Sequence, residues 1–156
     1  MLHLRSAELR DFAAVRGLRE SSADLPDALG DSAGRVRFLR AAAAVFASDI
    51  ADPAEFWIVA DAGAGVIAWS HAGVRSDGDG LHEPRFTEVA MVFVLASERR
   101  HGIARALLAE VERRSRGQGI GLLRLVVHAT NAGAIALYED LGYTAQNGMM
   151  EKLLGA

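Results

Sequence analysis

Arg99, Arg100, His101 and Gly102 end the seven-residue segment between an apolar run, Val89 to Leu95, and a stretch in which Ile103, Leu107 and Val111 recur every four residues with Ala104 and Leu108 beside them. The run reads as a strand buried on both faces, and the four-residue period as an amphipathic helix starting at about Ile103. A helix start leaves its first N–H groups without intrahelical partners, and a Ser, Thr, Asp or Asn side chain usually covers them. None of Arg100, His101 and Gly102 supplies such an acceptor. The donors stay open, the helix dipole adds partial positive charge, and three basic side chains crowd around them, which is how a main chain binds phosphate. Gly102 also lets a bulky anion approach the backbone. Arg105, like Arg35, Arg37 and Arg40, either reaches the same anion or lies on a solvated helix face.

Proton-handling candidates flank this loop. Glu88 has even spacing to Ala90, Val92 and Val94, so it is expected to share their face of the strand and to reach a reacting group through water. His71 and His128 are alternatives, although a lone histidine near a strand is more often structural and Glu88 also fits an exposed carboxylate at a strand start. His82 and Glu83 have no partners at ligand spacing, so no metal is expected. Asp24, Asp27 and Asp31 fit a solvated loop better than an amine-attracting patch.

The elements that position these groups follow in chain order. A strand is expected at Leu2 to Arg5, then a helix from about Ala7 to Glu20 with Leu9, Phe12, Val15 and Leu18 on one face. Ser21 to Gly34 is a turn-rich loop, and a second helix runs from about Arg35 to Asp49, ended by Asp52-Pro53. Phe56 to Ala60 and Val66 to Val74, joined by Asp61 to Gly65, form an antiparallel hairpin in which Trp69 and His71 share a face. Arg75 to Pro84 is a loop. After the central strand and helix, Gly117 to Gly121 lies between a helix and a strand, the reverse of a phosphate-binding glycine loop, and so marks a helix C-terminus and tight turn. A strand at Leu122 to Val127 follows, then a helix from Ala132 to Asp140 capped by Thr130-Asn131, and strands at Tyr143 to Ala145 and Met149 to Leu153 joined at Asn147-Gly148.

Composition narrows the classes. The 156 residues fit one domain, 1–156, with 51% hydrophobic and 24% charged residues, a globular balance. A net charge of −3 argues against a general nucleic-acid binder, so any anion site is local. With no cysteine, disulfides, thiol catalysis and cysteine metal sites are excluded. The first residues carry charges and no signal-like apolar region, and no apolar run approaches the ~20 residues that cross a bilayer, so a soluble cytoplasmic chain without membrane contact is expected.

Two motifs carry a resemblance. Arg99-x-x-Gly102-x-Ala104 after Val92-x-Val94 resembles the acyl-CoA pyrophosphate loop of the GNAT superfamily of N-acetyltransferases. Asn131-x-x-Ala134-x-x-Leu137-Tyr138-x-x-x-Gly142-Tyr143 resembles that family's C-terminal signature. The match is in residues and spacing from Glu88 onward, and in the order of elements before it.

The resemblance implies an α/β fold with a mixed, mostly antiparallel sheet of about seven strands, a splayed central parallel pair and about four helices. It implies acetyl transfer from acetyl-CoA to a primary amine of a small molecule or peptide. Arg99, Arg100, His101, Gly102, Ile103, Ala104 and Arg105 would hold the pyrophosphate and main-chain groups near Val92 and Val94 the pantetheine arm, with Asn131 at the helix start also binding the cofactor and Tyr138 projecting toward the acyl group. Tyr138 is the family's usual acid, protonating the thiolate that leaves. Many relatives carry an acidic residue where this chain has Ala90 and Met91, which leaves Glu88, His71, His128 or water as the base, and a non-catalytic acyl-CoA sensor as the alternative. Relatives often pair as dimers, so a homodimer is among the expected states.

Overall fold

The computed structural model describes residues 1–20, 43–78, 84–146 and 149–155. Expectations for Ser21 to Gly34, the start of the second helix, His82 and Glu83, and the turn Asn147-Gly148 lie outside these residues. The strands are β1 (His3–Ser6), β2 (Glu55–Asp61), β3 (Val66–Ser76), β4 (Arg85–Val94), β5 (Leu122–Leu125), β6 (Thr144–Gln146) and β7 (Met149–Leu153). The helices are α1 (Phe12–Glu20), α2 (helical over residues 43–51), α3 (Ile103–Gly117) and α4 (Ala132–Asp140). One seven-stranded sheet runs β1-β2-β3-β4-β5-β7-β6, and only β4 and β5 pair in parallel. The expected fold class holds.

Two apolar layers cover the sheet. On one face α3 lays Ile103, Leu107, Leu108 and Val111 over Ile58, Ala68, Ala72, Val89, Leu123 and Leu125, and Leu137, Tyr138 and Leu141 of α4 join them. The stripe read from the sequence is thus the packed one. On the other face Phe12 and Val15 of α1 and Phe46 of α2 cover Val59, Trp69 and Phe93. Trp57 links that layer, stacking against Trp69 at 5.4 Å and against His71 at 4.2 Å. Trp69 and His71 therefore do share a face. Small residues at Ala68 and Ala72 let α3 sit close to β3, where Thr87 and Ser115 hydroxyls bond at 2.8 Å in full burial.

Several bounds differ from those expected. The first helix does not begin at Ala7: Leu9–Asp11 form a 3-10 turn, because Glu8 and Asp11 make a reciprocal capping box that starts the α-helix at Phe12. Leu9 consequently points to solvent while Phe12, Val15 and Leu18 pack inward. Strand β3 runs on to Ser76, so Arg75 is a strand residue and not part of a loop. Strand β4 starts at Arg85, earlier than expected, and β5 ends at Leu125, short of Val127. Past Leu125 the chain has lost its β4 partner, and Val126 stands exposed.

Asp11 also fastens the first strand. Its carboxylate accepts from Arg5 at 2.7 and 2.9 Å and from the Glu8 N–H at 2.8 Å, in a position only 5% exposed. The Arg5 guanidinium holds the Asp11 carboxyl below the usual range. A depressed pKa gives stability that is present above the unfolded value and is lost as pH falls. Asp11→Ala is expected to cost about 2–3 kcal/mol near neutral pH, since it removes two charge-assisted hydrogen bonds and the Glu8 cap and leaves the partly buried Arg5 guanidinium with Asp61 alone, 3.0 Å away. Urea melts near pH 7 and near pH 3 check this: the gap between parent and variant narrows in acid.

Candidate active site

The loop between β4 and α3 is built as its sequence suggests. A 3-10 turn over Ala96–Glu98 is followed by extended Arg99, then Arg100 with φ 67° and Gly102 with φ 79°. Two left-handed residues within three positions curl the chain so that successive N–H groups converge, the nest geometry that suits an anion. Gly102 caps α3 with no side-chain acceptor, and the first helical bond is Ala106 N–H to the Gly102 carbonyl at 3.0 Å. Among the described residues, no acceptor takes the N–H groups of Ile103, Ala104 and Arg105. A Cβ at Gly102 would meet nothing within 4 Å, so the space above these donors is open. The donor set and the room fit a diphosphate.

The surrounding side chains are arranged around that opening. Arg99 Nε donates to the Val94 carbonyl at 3.2 Å, and His101 Nδ1 lies 3.2 Å from the Glu98 carbonyl oxygen. Arg100 is exposed. Arg105 pairs with Asp140 at the end of α4. Asn131 accepts from the Ala134 N–H at 3.1 Å and so caps α4, as its position predicted.

Strands β4 and β5 diverge just below the loop. They pair only from Thr87 to Val89 against Leu123 to Leu125, while β4 continues to Val94. Leu95 N–H donates to the Ile67 carbonyl at 2.9 Å, so alternation along the antiparallel edge turns the main-chain groups of Phe93 toward β3 and those of Val92 and Val94 into the gap. An extended ligand could add to β4 there through main-chain hydrogen bonds alone.

A bulge sits at the point of divergence. His71 pairs with Met91 but Ala72 pairs with Val89, leaving Ala90 as an extra residue on β4. This overturns the expected face for Glu88. Thr87 and Val89 point toward α3, and the inserted Ala90 shifts the alternation so that Val92 and Val94 also point there, while Met91 and Phe93 join the α1/α2 layer. Glu88 lies on the α1/α2 face, opposite Val92 and Val94.

On that face Glu88 lies 3.6 Å from Arg75, in a groove of about 340 Å³ that Arg124, Asp77 and Phe86 also line. Sequence reading missed Arg75 and Arg124 as site residues. The two-residue spacing of Arg75 from Gly73, His71 and Trp69, and of Arg124 between Leu123 and Leu125, could have assigned both to a face. His71 points its Nε2 at Glu55 Oε2, 2.8 Å away, with Asp49 at 3.7 Å, and is tied into that network. His128 lies after β5, its Nδ1 2.7 Å from the Thr130 hydroxyl.

Tyr138 sits on the opposite face, in the layer shared with Val92, Val94 and Val127, its ring 5.6 Å from that of Tyr143. Burial pushes its phenol pKa upward, so the hydroxyl keeps its proton well into alkaline conditions. The divergence of β4 and β5 thus has a half-buried phenol on one side and an exposed carboxylate on the other.

The model of the acetyltransferase (GNAT) family matches residues 21–143, most of the chain. The chain belongs to this family. Beyond the GNAT match, mycothiol acetyltransferase of Thermobispora bispora is 33% identical over 93 residues, 60% of this chain. The chain spans only 31% of that relative's length. PaiA N-acetyltransferase of Thermoplasma acidophilum, solved in complex with coenzyme A, superposes with a TM-score of 0.80 at 17% identity, covering 98% of this chain and 99% of that one. A GNAT-family acetyltransferase of Streptococcus pneumoniae gives 0.78 at 17% identity, over 99% and 100%. At such identities the structures share the GNAT fold.

Proposed function

We propose that the chain is an acetyl-CoA-dependent N-acetyltransferase acting on a primary amine of a small-molecule or peptide acceptor. The observation that carries the reading is the uncovered set of amides at Gly102 to Arg105 beside the gap between β4 and β5. Arg99, Arg100, His101 and the α3 amides hold the diphosphate, with Arg105 exchanging Asp140 for it. Val92 and Val94 offer main-chain groups to the pantetheine arm, and Asn131 steadies its acyl end. That direction of binding brings the thioester to the point of divergence at Ala90.

An amine must be neutral to attack. Glu88, through water, takes its proton; the nitrogen then bonds to the acetyl carbon, the carbon–sulfur bond breaks, Tyr138 supplies a proton to the departing thiolate, and the second proton that the nitrogen sheds on becoming an amide passes through water to restore the Tyr138 phenol. The products are an acetamide and free coenzyme A. Acid and base act from opposite faces of the sheet, so the acceptor enters from the α1/α2 side while the donor occupies the α3 side.

Coenzyme A binding measured by calorimetry, with thiol release followed across a panel of amines, tests this reading. Heat with coenzyme A and turnover on an amine support it; no heat with any coenzyme A derivative overturns it. Ala90 and Met91 in place of an acid favour a second reading, a sensor that binds acyl-CoA, which would show heat and no turnover. Glu88→Gln is expected to lower kcat/KM about tenfold and to reshape its pH profile. A profile superimposable on the parent's removes Glu88 from the mechanism.

A further inference from the structure

The end of α4 fixes the chain's two tyrosines against each other. Gly142, at φ 87°, takes the left-handed position past the helix; its N–H donates to the Glu139 carbonyl at 2.9 Å, and the Tyr143 N–H donates to the Tyr138 carbonyl at 3.0 Å. This is the Schellman arrangement, and an apolar contact between the residues in the positions of Tyr138 and Tyr143 commonly accompanies it. The two rings make that contact at 5.6 Å with a tilt of 58°. Two phenylalanines would supply it equally well, so packing accounts for the rings and not for the hydroxyls.

The Tyr143 hydroxyl is the harder to explain by packing. The residue is only 2% exposed, and its oxygen has no hydrogen-bond partner. An unpaired buried hydroxyl is destabilising, and phenylalanine would avoid it. Nearby, Lys152 Nζ stands 5.7 Å from the ring centre and donates to Glu112 at 2.7 Å, with Arg116 3.7 Å from the same carboxylate. Burial, then the charge of Glu112 and the neighbouring Tyr138, push the Tyr143 phenol pKa up, so the hydroxyl stays a donor near neutral pH.

Tyr138 has the complementary need. Once its proton passes to the departing thiolate it is a phenolate in a half-buried place, where burial disfavours the charge. We infer that Tyr143 is a positioning residue for Tyr138, its spare O–H turning to the phenolate oxygen as the charge appears and holding it until the phenol is restored. Tyr143 keeps its own proton throughout: the sulfur takes the one from Tyr138, and Tyr138 regains one through water from the nitrogen that becomes an amide. No hydrogen bond joins the two hydroxyls in the resting structure, and closure over the cofactor need only bring them to about 2.7 Å. A donor without a partner at rest acts where charge develops. This rests on the acetyltransferase reading above and deepens its acid step.

Turnover and titration test it together. Tyr143→Phe is expected to lower kcat about tenfold, with KM for acetyl-CoA within about twofold and a melting temperature no lower than the parent's. In a Tyr138→Phe background the same substitution should change kcat by less than about twofold, because the phenolate it serves no longer forms. With fluorotyrosine in place of both tyrosines, fluorine NMR follows the ionisation of Tyr138 in the free protein and with coenzyme A bound. Tyr143→Phe should move that midpoint upward by about half a pH unit or more, since the phenolate loses a donor.

A parental kcat for Tyr143→Phe where Tyr138→Phe is impaired, an equal loss in both backgrounds, or a Tyr138 midpoint unmoved or lowered overturns the inference. Tyr138→Phe at parental kcat would instead overturn the acid role on which it rests. A parent without turnover on any amine overturns the transferase reading, and the titration then decides whether Tyr143 serves the Tyr138 phenolate.

Discussion

Gly102→Asp is expected to abolish useful coenzyme A binding while leaving the fold intact. The carboxylate would sit among the open amides of α3 and serve as the capping acceptor this helix lacks. At about 5 Å and an effective dielectric of 20–40, it repels each phosphate charge by roughly 1.5–3 kcal/mol. Losing the main-chain hydrogen bonds adds to this, so the dissociation constant should rise by about 100-fold or more. Stability behaves differently. Aspartate at φ 79° costs roughly 1 kcal/mol, and the new cap and its interaction with the helix dipole offset about as much. Gly102→Ala separates the two effects: it carries the same backbone strain and no charge, and nothing lies within 4 Å of its Cβ. It should weaken binding about tenfold at most. Calorimetric titration beside thermal melts reads both; a parental dissociation constant for Gly102→Asp would move the diphosphate to another place in the fold.

Tyr138→Phe is expected to lower kcat about 100-fold with KM for acetyl-CoA within about threefold. The phenylalanine ring preserves packing against Tyr143 and the α3-side layer, and no described residue hydrogen-bonds the Tyr138 hydroxyl, so the melting temperature should barely move. The pH dependence gives a second readout. Because burial raises the phenol pKa, the parent retains its donor and its rate beyond the ordinary tyrosine range, and falls only above it. The variant has no such alkaline limb. Unchanged turnover would leave Tyr138 with a packing role only.

How much of this could be read from residues alone differs by element. The start of α3 at Ile103, the hairpin of β2 and β3, the shared face of Trp69 and His71 and the Asn131 cap all rest on local spacing or capping chemistry, and they were legible. The face of Glu88 was not. A bulge is defined by its partner strand, and nothing in Glu88-Val89-Ala90-Met91 announces that His71 and Ala72 will skip one residue. The end of β5 at Leu125 has the same origin, since Val126 and Val127 keep strand-forming side chains but lack a neighbour. The charges of the groove come from separate strands and the end of β3, and their balance appears only once those segments lie side by side.

The single inserted residue at Ala90 also divides β4 into two functional halves. Substitutions at Phe86 and Glu88 reach the groove on the α1/α2 face and leave Val92 to Val94 in place, because the alternation of side chains is reset between them. A chain built this way can change what it acetylates by altering one half of a strand, while the other half keeps the geometry that every acetyl donor needs.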